Sequence, residues 1–185
     1  MKNKTLIILI GVAVILAVYF MGVQRSLVNL SEDVNASWGD VEVQYQRRAD
    51  LIPNLVETVK GQAIKEQEIF TQLAEARAKL AGAATLSDKI NANEGVSSVL
   101  GRLLAITENY PVLKQNEGFQ DLRVQLEGTE NRIAVARKYY NDNVNIYNKK
   151  IKVFPTNIAA NILGYNEFPY IKAEAGAEKA PEVKF

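Results

Sequence analysis

The segment Arg47-Arg48-Ala49-Asp50-Leu51-Ile52-Pro53-Asn54 holds the most distinctive chemistry in the chain. Arg47 and Asp50 stand three apart, so on a helix they share a face and can pair. Arg48 falls in an apolar seam, where a guanidinium needs a carboxylate or several carbonyls around it. Glu130 and Glu127, far along the chain, are candidate partners. Two readings stand side by side. Arg48 recognises an anion or a carboxylate of another molecule, or it pairs internally and fixes helix register. Trp38 is the sole tryptophan, either a core residue or an exposed anchor for a partner. Trp38, Arg47, Arg48, Asp50, Pro53 and Asn54 form the candidate interaction or register site.

Other side chains offer less. Glu66 lies in a second apolar seam, but carboxylate metal sites in helical bundles want several glutamates and Glu-x-x-His motifs. The chain has no histidine, so a salt bridge from Glu66 to Arg77 or Arg132 is the simpler expectation. Asp121, Glu127 and Glu130 read most simply as a solvated face. Tyr139, Tyr140, Asn141, Asn143, Asn145, Tyr147 and Asn148 enrich one stretch in Tyr and Asn, either as an interaction surface or as hydrogen-bonding groups across a bundle. Lys149-Lys150 reads as helix-end charge beside the dipole. Without histidine or cysteine there are no Cys/His zinc sites, Ser-His-Asp or Cys-His catalysis, or disulfides. No Gly-rich phosphate loop and no activated nucleophile is visible. The expectation is a non-enzyme with no catalytic residue, metal or cofactor.

The elements that must position these residues are helical. The chain has 185 residues, 48% of them hydrophobic and 23% charged, enough for one compact domain with an appendage. Residues 6–23 form 18 consecutive uncharged positions, about 27 Å as a helix and close to the hydrocarbon thickness of a bilayer. The run is longer than a signal-peptide core and no small-x-small cleavage pair follows it, so an uncleaved anchor is expected. Lys2, Lys4 and the α-amino group precede the span and only Arg25 follows it closely. The positive-inside rule then places the domain outside the cytoplasm. After the span there are 20 basic and 21 acidic residues, which gives no footprint for nucleic acid.

Apolar residues recur at helical steps through Leu30, Val34, Trp38, Val41, Tyr45 and Ile52. Pro53 is expected to break or kink this helix, with Asp50 capping a new one. A second stripe follows as Leu55, Val59, Ala63, Glu66, Phe70, Leu73, Arg77 and Leu80, stopped near Gly82. A third, capped by Thr85 or Ser87, takes in Leu86, Ile90, Val96, Leu100, Leu103, Leu104 and Thr107 and ends at Tyr110-Pro111. The fourth runs Leu122, Leu126, Thr129, Ile133, Ala136, Tyr140, Val144, Tyr147, Ile151 with near-heptad spacing, as side-by-side packing requires. The fold class expected is all-α: an antiparallel four-helix bundle preceded by one N-terminal transmembrane helix. The expected divisions are an anchor at 1–25, a bundle at 26–154, a packed segment at 155–171 and a mobile tail at 172–185, with Phe185 more prone to fray than to anchor.

These residues resemble those of the bacterial LemA family. The resemblance is carried by Trp38-Gly39-Asp40-Val41, the long run from Arg47 through Pro53 to Gly61, Ala74-Glu75-Ala76-Arg77, Glu108-Asn109-Tyr110-Pro111, Leu126-Glu127-Gly128-Thr129-Glu130-Asn131-Arg132-Ile133, Phe154-Pro155 and Phe168-Pro169-Tyr170. It implies a helical bundle behind one membrane span and supplies no catalytic residue. It also implies a cytoplasmic domain, the reverse of the charge count. The functional expectation is a single-pass scaffold in a bacterial cell membrane. It would meet lipid through residues 6–23 and bind an envelope or membrane protein partner. The second expectation is a sensor holding a small molecule or anion between helices near Arg48.

Overall fold

A computed structural model describes residues 2–61 and 66–172. The structure is all-α: among the described residues there is no strand, and six helices account for the architecture. The first, α1 (Lys2–Gly61), is continuous over 60 residues. No proline interrupts its first 51 positions, and a buried stripe of Val23, Leu27, Val34, Val41, Tyr45, Ile52, Leu55 and Val59 runs along it. Before Val23 the pattern changes. The large side chains from Leu6 to Val18 stand exposed, and the stretch is long and apolar enough to cross a membrane.

Pro53 does not end this helix. The expected break is replaced by an uninterrupted α1 with Pro53 inside it. Leu55 and Val59, expected on a second helix, are therefore still on α1. That second helix is shorter than expected, α2 (Gln67–Gly82), and Glu66 occupies its N-cap position. Ala63 of the expected stripe lies outside the described residues, as does the tail beyond Lys172, Phe185 included. Next come α3 (Leu86–Thr107), a single turn α4 (Pro111–Lys114), α5 (Glu117–Lys152) and α6 (Thr156–Leu163). Thr85 caps α3, its hydroxyl oxygen accepting from the Asp88 N–H at 3.1 Å. Asn116 does the same for α5 through the Phe119 N–H at 2.9 Å. The α5 seam is the one read from the sequence except at its start: Leu126, Thr129, Ile133, Ala136, Tyr140, Val144, Tyr147 and Ile151 are all buried, and Leu122 is half-buried.

The chain divides into two compact units, Met1–Asp40 with Ala136–Tyr170, and Val41–Val135 with Ile171–Phe185. In the first, α1 and α5 run antiparallel: Asn143 donates to the Asp33 carbonyl at 3.3 Å, and Trp38 meets the Tyr140 ring edge-on at 5.6 Å. Gly164 ends α6 in the left-handed conformation at φ 76°, which a glycine adopts without a Cβ clash. In the second unit four helical stretches pack together. Arg77 reaches Ala49 and Lys60 lies over the Phe70 ring, so α2 runs antiparallel to α1. Arg102 reaches Gln72, which sets α3 antiparallel to α2. Lys89 pairs with Glu42 and Arg48 with Ser97, so α3 runs parallel to α1. After the turn of α4, α5 returns to close an up-down-up-down arrangement.

Candidate functional site

Arg48 lies in the core of the second unit, only 2% exposed. Its guanidinium forms an ion pair with Glu130 of α5. It also donates to Ser97 Oγ at 2.7 Å and to Asn93 Oδ1 at 3.4 Å on α3. One cation on α1 thereby ties two other helices in register. Glu127, the other candidate partner, pairs with Arg123 one turn before it. Asn93, fully buried, was not picked out from the sequence, nor was Ser97. A signal existed for Asn93, which sits in the gap of the α3 stripe between Ile90 and Val96.

One turn on, Pro53 has no N–H to donate to the carbonyl four residues before it. That carbonyl belongs to Ala49, and Arg77 Nε of α2 donates to it at 3.1 Å. A donor from a neighbouring helix satisfies the acceptor that proline leaves open, which is why α1 can continue. The expected pair of Arg47 with Asp50 is not the one formed. Both side chains are exposed, and Asp50 Oδ1 accepts from Gln46 Nε2 at 2.8 Å. Glu66 meets neither Arg77 nor Arg132 but accepts from the Tyr110 hydroxyl at 3.0 Å. That hydrogen bond is the main cause of the raised Tyr110 pKa. Pro53 is half-buried and Asn54 exposed.

Beside Ala49 and Arg77 a groove of about 540 Å³ opens between α1, α2 and the start of α3. Small residues line it, Ala74, Ala78 and Ala81 along α2 and Ala83 just past its end. Tyr45 and Gln46 line it from α1, and the Glu42–Lys89 pair stands among the same residues.

Trp38 belongs to the first unit and is half-buried. The Tyr/Asn-rich stretch of α5 turns inward there. Tyr140 donates to the Pro169 carbonyl at 2.9 Å. Asn148 holds Phe168 by both main-chain groups, donating to its carbonyl at 2.9 Å and accepting from its N–H at 3.0 Å. Tyr147 stacks edge-on against the Phe168 ring at 5.0 Å. Burial pushes the Tyr140 phenol up to about 12 and raises Tyr147, the latter helped by Tyr165. Tyr139 and Asn145 stay exposed.

The profile of the LemA family matches residues 37–185, about four fifths of the sequence. The chain belongs to the LemA family. The match takes in every residue around Arg48 and Arg77 and begins after the apolar stretch. Among its relatives are two magnetosome proteins of Paramagnetospirillum magneticum, MamQ 1 and MamQ 2. Each is 28% identical over 180 positions that cover 83% of this chain and 66% of the relative. The magnetosome protein MamQ of Magnetospirillum gryphiswaldense is 27% identical over 172 positions, 79% of this chain and 63% of that protein. This LemA-family chain thus spans slightly less than two thirds of the length of the relatives it matches.

Proposed function

We propose that this LemA-family protein is a membrane-tethered helical scaffold. Residues 6–23 hold it in a bacterial cell membrane, and the groove beside Ala49 and Arg77 captures a segment of an envelope or membrane protein. The groove is the observation that carries this reading. Its alanines leave room for the side chains of a partner helix or extended segment, and the Glu42–Lys89 pair adds a polar edge to it. The tether supports the same reading, since confining the domain to a surface raises its effective concentration toward membrane partners. A small-molecule or anion sensor centred on Arg48 has weaker support. Its guanidinium is buried and already engaged by Glu130, Ser97 and Asn93.

The test is site-specific photo-crosslinking in intact membranes, with mass spectrometry of the products. A crosslinker at Gln46, on the groove, should give one dominant adduct, and one at Val124, exposed elsewhere on the same unit, should not. Ala78→Phe fills the groove and should abolish the Gln46 adduct while helix content is kept. An unchanged adduct in a folded Ala78→Phe protein counts against the groove.

A further inference from the structure

We infer that the end of α5 and the whole of α6 form a second membrane contact, a tip that lies in the headgroup layer of an anionic bilayer. The inference rests on the anchor reading above and adds a site to it.

The first observation is that α6 is built the wrong way round for a helix facing water. It buries its small residues, Ala159 and Ala160, and exposes its large ones, Ile158, Ile162 and Leu163, with Ile162 68% exposed. Just before it Val153 and Phe154 also stand out, Phe154 at 74%. Single exposed apolar residues are ordinary on a protein surface, but a cluster within one short segment marks a surface made to be covered.

The second observation says what covers it. Val153 and Phe154 line one cavity of about 610 Å³ with Tyr19 and Leu30 of α1, all within the first unit. Tyr19 lies within residues 6–23, four positions before the end of that run, about 6 Å along the helix axis. The α5–α6 junction therefore sits at the depth where the span leaves the hydrocarbon, and its apolar surface continues that of the span.

The third observation is charge. Lys149 and Lys150 line the same cavity and are exposed, and Arg25 is exposed on α1. Residues 146–163 contain no acidic side chain. Lys152, beside Lys149 and Lys150, is paired with Glu167 at 2.7 Å. Basic side chains bordering exposed large apolar ones are the composition of an interfacial element on anionic lipid. A groove for an acidic protein would not need the outward isoleucines of α6.

The chain has no cysteine, so single nitroxide labels can be placed without background. Full-length protein would be reconstituted in phosphatidylcholine vesicles containing phosphatidylglycerol. Collision with oxygen would then be compared with collision with a water-soluble nickel complex. Labels at Phe154→Cys and Ile162→Cys should show an oxygen-to-nickel ratio several-fold above that at Val124→Cys and below that at Val14→Cys in the middle of the span. Adding Lys149→Glu and Lys150→Glu should lower the ratio at 154 and 162 and leave Val14 unchanged. A lipid reading at Val14 with a water reading at 154 and 162 overturns the tip and leaves the anchor standing. A water reading at Val14 overturns both. Low oxygen access at 162 with dipolar coupling between labels would make the face a contact between two copies, and that also overturns the inference.

Discussion

Replacing Arg48 by alanine removes the charge that joins α1 to α3 and α5 and leaves Asn93 and Ser97 facing a void. Breaking a buried pair from one side is expected to cost about 3 kcal/mol, the low end of the range because Glu130 is half exposed. Glu130→Gln keeps an acceptor for the guanidinium and should cost nearer to about 1 kcal/mol. Urea unfolding of both variants in detergent gives the comparison, and equal losses would mean that the charge pair is not what Arg48 supplies. A second residue, Tyr140, makes a prediction in pH. Its phenol ionises near 10.0 in the unfolded chain and at about 12 in the folded one, because burial penalises the phenolate. Between those values the folded state holds the extra proton, so this contribution is complete below pH 10 and is lost as pH rises toward about 12. An absorbance titration of the phenolates should show a late tyrosine that disappears in Tyr140→Phe. A titration curve unchanged by the substitution would assign the late phenol elsewhere.

At the scale of elements, α1 depends on a residue of α2. Arg77→Ala leaves the Ala49 carbonyl without its donor and should cost about 1–2 kcal/mol. In a Pro53→Ala background the helix supplies its own N–H to that carbonyl, and the same substitution should cost much less. A double-mutant cycle measures this coupling, and the idea fails if Arg77→Ala costs the same in both backgrounds. This pairing also marks where sequence reading ran out. The α5 seam was legible because period alone dictates it, and the Thr85 cap because a hydroxyl before a helix has a local job. The continuity of α1 was not, since the group that rescues it lies 24 positions away and only the packing of α2 brings it near. Glu130 was legible only as one of two candidate partners of Arg48, beside Glu127, and it is the packing of α5 that selects it. The acceptor of Tyr110 was not, because Glu66 acts from an N-cap position rather than from a seam. The outward face of α6 was missed for the opposite reason. Its apolar residues read as packing, and only burial reveals that the alanines pack instead.

For the whole molecule, the buried stripe of α1 starts at Val23, and no large side chain between Leu6 and Val18 enters a core. A chain starting at residue 22 should lose only the helix signal of the residues removed and keep the unfolding midpoint of the full protein in detergent, and a larger loss or a lower midpoint would give the apolar stretch a structural role. The closing segment is held on another principle. Asn148 grips Phe168 through its N–H and its carbonyl, and Tyr140 takes the carbonyl of Pro169, so these three hydrogen bonds read main chain, beside the one ring contact of Tyr147 with Phe168. A clamp of this kind measures distance along the polypeptide. The connector between Gly164 and Phe168 should therefore tolerate a change of side chain, at the cost of the exposed Glu167–Lys152 pair at most, better than a change in its number of residues, because one insertion or deletion would slide every gripped atom past its partner.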